Sequence, residues 1–345
     1  MCIGYKGMKT AYLDELKHPL RIGESEIEDP AGDEIIVRQE VTGVCYRDIL
    51  TMDGSFPRVR LPIVPGHEIA GEIVKIGPDV SRFKVGERVA SLIYIPCGQC
   101  EFCRSGRENL CPNKKTFGEL LDGSYRKYVK VSEKSVVHVP EGVGNHEAAI
   151  SACVTGMIYH AIRVEAGIKE GETILLTGSG GGVGMHAIQI AKALGARVIA
   201  ETSSKWKTDQ ILAAGADHVV YSGEDFSRKV KELSDGGVDV VLESVGKPTF
   251  DSALRSLKTG GRMAVIGNVI PDPVNLPLGL IILKGNRIFG SISSTREDMK
   301  KALELSAAGK VKAISNMEIP LDNINSAYED IRNRRNLGRV MIKLE

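Results

Sequence analysis

The sequence predicts an α/β chain in two halves, a β-rich barrel or sandwich followed by a doubly wound parallel sheet. Three observations carry this. Residues 8 to about 145 set short β-type runs between Gly, Pro, Asp and Ser turns. From about 147 onward, short apolar strands alternate with helical segments at βαβ spacing. One of those strands, "ETILLTG" (172–178), runs straight into a glycine-rich turn and a helix.

In the first half, "DEIIVRQEVTGVC" alternates like a half-buried strand. The runs "GHEIAGEIVKIG", "KVGERVASLIYI" and "SYRKYVKVSEKSVVHVP" continue the pattern. The texture then changes: "HEAAISACVTGMIYHAIRV" has the alanine and apolar spacing of a helix. After "ETILLTG" come the helix "VGMHAIQIAKALG", the strand "ARVIAE", a helix ending at Gly215 and the strand "ADHVVY". A helix near 225–234, "VDVVLES", the helix "TFDSALRSL" and "GRMAVIG" complete the alternation. The tail adds the helical runs "TREDMKKALELSAAG" and "LDNINSAYEDIRNRR" and a last strand, "RVMIKL". There is no internal repeat and no long linker.

A chain of 345 residues has room for about two domains. Forty-five Lys and Arg against 44 Asp and Glu leave a net charge of +1, which gives no electrostatic reason to expect a nucleic-acid or membrane partner. The start, Met1 to Gly7, has no apolar core of a signal peptide. The most apolar tract, 148–162, falls short of the ~18–20 residues that span a bilayer. A soluble cytoplasmic protein acting on a small molecule is the expectation. Seven cysteines, four of them between 97 and 111, suit metal binding in a reducing compartment better than disulfides.

In "ILLTGSGGGVGMHAIQIAKALGA" glycines allow close approach of a phosphate to the backbone, and the amides opening the helix face it. Ser179 stands where a strict G-x-G-x-x-G needs its first glycine; Gly181, Gly182, Val183 and Gly184 follow. The end of the next strand separates NAD from NADP, since a carboxylate there holds a free ribose hydroxyl. Thr202 is placed at that position, followed by Ser203, Ser204 and Lys205, a set that accepts a 2′-phosphate and favours NADPH over NADH. Glu201 dissents, because a register one residue earlier makes it the NAD-type acid.

Cys97, Cys100, Cys103 and Cys111, spaced C-x2-C-x2-C-x7-C, can close a tetrahedral structural zinc shell. A dispersed set, Cys45, His67 and Cys153, offers three ligands and an open position, the pattern of a catalytic zinc. Asp48 is a partner for the His67 ring and Glu68 a neighbouring or transient ligand. Each of these residues alone also reads as ordinary core.

With "GVCYRD", "PGHEIAGEIVKIG", "KVGERV", the four-cysteine lobe, "GSGGGVG" and "GRVMIKL" in view, the chain resembles the zinc-containing medium-chain dehydrogenase/reductase superfamily over nearly its whole length. The resemblance implies a GroES-like β-barrel catalytic domain, 1–152 and 296–345, around a Rossmann NAD(P)-binding domain, 153–295. It implies zinc at both cysteine sets, a homodimer or homotetramer with "LIILKGNRIFGSIS" near the subunit contact, and Arg339 near the cofactor pyrophosphate. Tyr159 follows Cys153 by six residues, as in zinc alcohol dehydrogenases.

One departure stands out. Those enzymes usually carry Ser or Thr two residues after the first cysteine, to pass on the alcohol proton; here it is Arg47, which stays protonated. The segments "CYRDIL", "ACVTGMIYHAIR", "GKPTFDSALRSLKTGG", "IGNV" (with Asn268, on the cofactor side) and "LGLIILK" resemble the archaeal acryloyl-coenzyme A reductase branch. That implies hydride delivery to the β-carbon of a 2-enoyl thioester, with Arg47 a candidate donor to the developing enolate and Tyr159 a candidate proton donor. Zinc alcohol or aldehyde redox is the alternative, and a silent binding protein the third reading. Lys114, Lys115, Arg334 and Arg335 read as solvated charges, with a CoA phosphate contact as the sharper option.

Overall fold

The computed structural model describes residues 5–345, so the Met1–Gly4 stretch read for a leader, and Cys2 within it, lie outside the described residues. The β-rich half contains a five-stranded antiparallel sheet in the order Val136–His138, Arg88–Ser91, Ile69–Ile76, Glu34–Arg38, Tyr128–Ser132. Its inner face packs Ile35, Val37, Ile69, Ile73, Val129 and Val131 together. Each such side chain, buried almost completely, contributes about 1.5–3 kcal/mol.

The last strand, Val340–Lys343, returns across the molecule to pair antiparallel with Val41–Val44, placing Val340 opposite Val44. Sequence ends meet here because both strands are apolar and buried: Val41, Val44, Val340, Met341 and Ile342 are at most 6% exposed. This pairing brings Arg339 next to the loop that carries Cys45.

The second half is a six-stranded parallel sheet. Its order is His218–Tyr221, Arg197–Thr202, Thr173–Leu176, Val238–Glu243, Leu257–Val265, Arg287–Gly290. The first strand in sequence therefore sits in the middle, and the chain reverses direction beside it. That reversal opens a crevice at the carboxyl ends of the strands, the usual ligand position in such sheets. The expected helices are present, among them Gly182–Ala193, Thr208–Ala213, Ser227–Leu233, Lys247–Arg255, Arg296–Ala307 and Ile324–Arg332. One buried cluster, running from Leu92 and Tyr94 through Ile158 to Leu176 and Met341, joins the two halves. No helix among the described residues is long and apolar enough to cross a membrane.

The segment expected as one helix over 147–165 is wound more widely. Ser151–Gly156 and His160–Glu165 form π-turns on either side of Met157–Tyr159. Thr155 N reaches back five residues to Ile150 O at 3.1 Å, and Ser294 Oγ donates to Ala152 O at 2.9 Å. Gly156 permits the close contact with this neighbour, since a Cβ there would lie 3.2 Å from Ser294 Cβ. Cys153 sits in the middle of the wide turn, a common placement for functional groups.

Candidate functional site

Four elements converge on the dispersed site. Cys45 caps the short helix Tyr46–Met52: its Sγ accepts from Arg47 N at 3.4 Å, while its own N–H donates to Asp48 Oδ2 at 3.0 Å. His67 and Glu68 lie just before the strand Ile69–Ile76, after a Gly66 whose φ of +87° no larger residue adopts easily. A Cβ at Gly66 would also stand 2.4 Å from Ser124 Oγ and 2.6 Å from Tyr125. Cys153 comes from the π-turn and Arg339 from the C-terminal strand approach.

The ligand atoms of Cys45, His67, Glu68 and Cys153 all lie within 4.8 Å of one another, and His67 and Glu68 are buried. Cys45 and Cys153 sulfurs are 3.7 Å apart, and His67 Nε2 is 3.1 Å from Cys153 Sγ. Asp48 holds the other ring nitrogen, Nδ1, at 2.9 Å and accepts from Tyr125 OH at 2.8 Å. Burial pulls the His67 pKa down, but the charge and hydrogen bond of Asp48 outweigh it and raise it to about 9. The Cys153 hydrogen bond, with the charges of Arg339 and His67, holds the Cys45 thiol well below its ordinary range. Two sulfurs and an imidazole, clustered and oriented from behind by Asp48, form a donor set that fits zinc. Glu68 is engaged by Arg339, which donates to both carboxylate oxygens and approaches Cys153 Sγ at 3.7 Å.

The four-cysteine lobe also closes. The sulfurs of Cys97, Cys100, Cys103 and Cys111 lie within 4.8 Å of one another, with Cys100 and Cys103 3.4 Å apart. Backbone N–H groups of Gln99 and Cys100 bring the Cys97 thiol down to about 6, while burial pushes Cys103 up to about 12. The thiolate-favouring amides and the compact sulfur set fit a structural zinc with no open position. The lobe is fastened to the rest of the fold by Glu108, which accepts from Arg296 N at 3.0 Å, and by Asn109, 3.1 Å from His160 Nε2.

The phosphate loop follows the central strand. Gly178 has φ +65°, and a Cβ at Gly184 would lie 2.3 Å from Ser179 Cα, so both must be glycine for strand and helix to meet. Gly181 caps Gly182–Ala193, and Gly182 and Val183, both half-buried, open its first turn. The Ser179 hydroxyl turns inward, donating to Leu176 O at 2.9 Å. Gly338 N donates to Gly180 O at 3.3 Å, so the C-terminal segment lies along this loop. Asn268 stands beside Gly246, whose absent Cβ would lie 2.6 Å from Asn268 Oδ1.

The next strand runs from Arg197 to Thr202. Glu201 is turned under the phosphate loop, where Oε2 accepts from Gly178 N at 2.9 Å. Burial raises the pKa of that carboxyl. Ser203 Oγ accepts from Arg334 Nη1 at 3.1 Å, and Ser204 N donates to Thr202 Oγ1. Lys205 leans over the Tyr221 ring, 5.8 Å from its centre. Lys207 is buried and donates to Gly180 O at 3.3 Å; burial and the Arg334 charge draw its pKa down to about 8.

Lys207 and Arg334 thus join a cluster in which sequence reasoning had placed Lys205 alone. Arg334 had read as a solvated charge because its neighbours in space lie over a hundred residues away. Also absent from the sequence reading are Tyr125, Glu119 and Glu243. Glu243 Oε1 gathers Thr177, Val245, Gly246 and Thr249 at 2.8–3.1 Å and ties two cofactor-side loops together.

Arg47 lies beside the metal donors but is committed sideways. Its Nη2 donates to Glu119 Oε2 at 2.6 Å, and its guanidinium stacks 4.8 Å from the Phe56 ring. Tyr159 is not brought to this group: it is half-buried against the central core.

Residues 31–141 match the alcohol dehydrogenase GroES-like domain family and residues 182–308 the zinc-binding dehydrogenase family. An acryloyl-coenzyme A reductase of Sulfurisphaera tokodaii is 41% identical over 97% of this chain and 100% of its own length. An alcohol dehydrogenase of Geobacillus stearothermophilus is 36% identical over 98% of this chain and 100% of its own. Among solved structures, AibC superposes with a TM-score of 0.92 at 37% identity, covering 99% of this chain and 97% of that one. With its GroES-like and doubly wound halves and two cysteine-containing groups that could hold a metal, the chain belongs to the zinc-containing medium-chain dehydrogenase/reductase superfamily and is an oxidoreductase with a nicotinamide cofactor.

Proposed function

We propose that the protein reduces the activated C=C bond of a 2-enoyl thioester of the acryloyl-CoA type, using NADPH. Hydride adds to the β-carbon and a proton to the α-carbon as the reduced cofactor becomes NADP⁺. The carrying observation is Arg47, held by Glu119 where alcohol dehydrogenases place a relay hydroxyl. A permanently protonated guanidinium accepts no alcohol proton, yet it can donate to an oxygen gaining negative charge. The relatives named acryloyl-coenzyme A reductase point the same way.

When bound, a zinc ion at Cys45, His67 and Cys153 supplies Lewis acidity. Asp48 and Tyr125 keep the imidazole oriented, and Arg339 compensates Glu68. NADPH rather than NADH is favoured because Glu201 is spent on Gly178, leaving Ser203, Lys207 and Arg334 around the ribose position. The exposed apolar face of the Leu278–Lys284 helix, with Leu278, Ile282 and Leu283 65%, 76% and 87% exposed beside the edge strand Arg287–Gly290, supports a second copy docking there. The test is isotopic: NADPH deuterated at the nicotinamide C4 should leave deuterium on the β-carbon of the product. Label found only on the carbinol carbon of a reduced aldehyde would favour the alcohol dehydrogenase reading, which the intact three-ligand set supports.

A further inference from the structure

Beside Arg47 the 56–60 loop carries two arginines that no carboxylate engages among the described residues. Glu119 binds the Arg47 guanidinium through its carboxylate and accepts Arg60 N through its carbonyl at 3.0 Å, which ties the 56–60 loop to the site. Phe56 lies under Arg47 at 4.8 Å. Arg58 and Arg60 are exposed, and among the described residues neither guanidinium has a hydrogen bond, ion pair or ring contact. Lys114 is not free in the same way: its ammonium donates to Asn109 O and lies over the Tyr94 ring, 5.3 Å from its centre. The nearby carboxylate of Glu119 is already taken.

Several other surface arginines are matched, Arg21 with Asp14, Arg38 with Glu72, Arg332 with Asp53 and Arg335 with Asp330. Gathered cations without counter-charges repel one another and create a potential that draws in an anion.

We propose that Arg58 and Arg60 form the subsite for the phosphorylated nucleotide end of a coenzyme A thioester, with Arg47 marking where the thioester enters towards the metal donors. This rests on the thioester reading above. A small alcohol or aldehyde has no group for these cations, whereas the nucleotide of CoA is a polyanion. Guanidinium groups on phosphate form paired, charge-assisted hydrogen bonds.

The test compares acryloyl-CoA with acryloyl-pantetheine, which keeps the reacting thioester and lacks the nucleotide, on the whole enzyme at saturating NADPH. The native enzyme is expected to show a KM about tenfold lower for the CoA ester, with the difference shrinking as salt rises. The double variant Arg58→Ser, Arg60→Ser should bring the two KM values within about twofold of each other, chiefly by raising that of the CoA ester. Equal KM values in the native enzyme, or a ratio preserved in the double variant, overturn the subsite while leaving thioester reduction standing. Turnover of neither thioester overturns both.

Discussion

Arg47 Nη2 and Glu119 Oε2 lie 2.6 Å apart, joining a residue two positions after the candidate ligand Cys45 to a carboxylate 72 positions later. Both groups are largely shielded, Arg47 at 24% and Glu119 at 10% side-chain exposure, so the pair is held more firmly than a surface ion pair. Replacing Arg47 by Thr restores the alcohol dehydrogenase pattern but leaves Glu119 without its cation. Thioester reduction by Arg47→Thr is expected to fall at least tenfold in kcat, with a loss of about 1–3 kcal/mol in stability. Steady-state kinetics beside thermal unfolding separates the two effects; unchanged kinetics would make Arg47 a structural residue only.

Arg334 and Lys207 should set cofactor choice. Arg334→Met is expected to lower kcat/KM for NADPH about tenfold or more and to move that for NADH by less than twofold, since a charge-assisted phosphate contact is worth about 1.5–3 kcal/mol. Initial rates with both cofactors check this; an equal loss for the two would place Arg334 outside the 2′-phosphate site.

The same cluster predicts a pH dependence. Lys207 carries its proton below a pKa of about 8 and loses it above. A 2′-phosphate attracts only the charged form, so kcat/KM for NADPH should decline as pH rises through about 8 and NADPH binding should take up a proton there. The NADH profile should lack that limb, and the Lys207→Met enzyme should lack it with either cofactor.

Lys207 and Arg334 also mark the limit of what was legible beforehand. Local signals were read correctly where the chemistry is contiguous: the strand, glycine turn and helix at 173–193, and four cysteines within one short lobe. The dispersed candidates Cys45, His67 and Cys153, which the fold brings together, were reachable through motif resemblance. Lys207 was passed over because Lys205 stands nearer the strand end, and only the turn at 205–207 swings it back to Gly180. Arg334 joins the site because Val340–Lys343 pairs with Val41–Val44, a contact no local pattern announces. The π-turns around Cys153 escaped notice for a related reason: they depend on Ser294 and Gly156 meeting in space.

Metal content distinguishes the two cysteine sets. The native protein should bind two zinc ions per chain. Asp48→Asn, which weakens the support behind His67 Nδ1, should lower affinity at one site about 10–100-fold and leave the four-cysteine ion in place. Competition with a chelator, followed by elemental analysis, reads this directly. Loss of both ions together, or one ion in the native protein, would count against two independent centres.

The central claim is reduction of an enoyl thioester, and the most direct measurement sets two reactions side by side on the same zinc-replete preparation. One follows NADPH oxidation with acryloyl-CoA or crotonyl-CoA; the other follows NADP⁺ and NAD⁺ reduction with simple primary and secondary alcohols. The account predicts kcat/KM for a thioester at least a hundredfold above that for any alcohol. Turnover of alcohols alone, lost when the exchangeable zinc is removed, would contradict it.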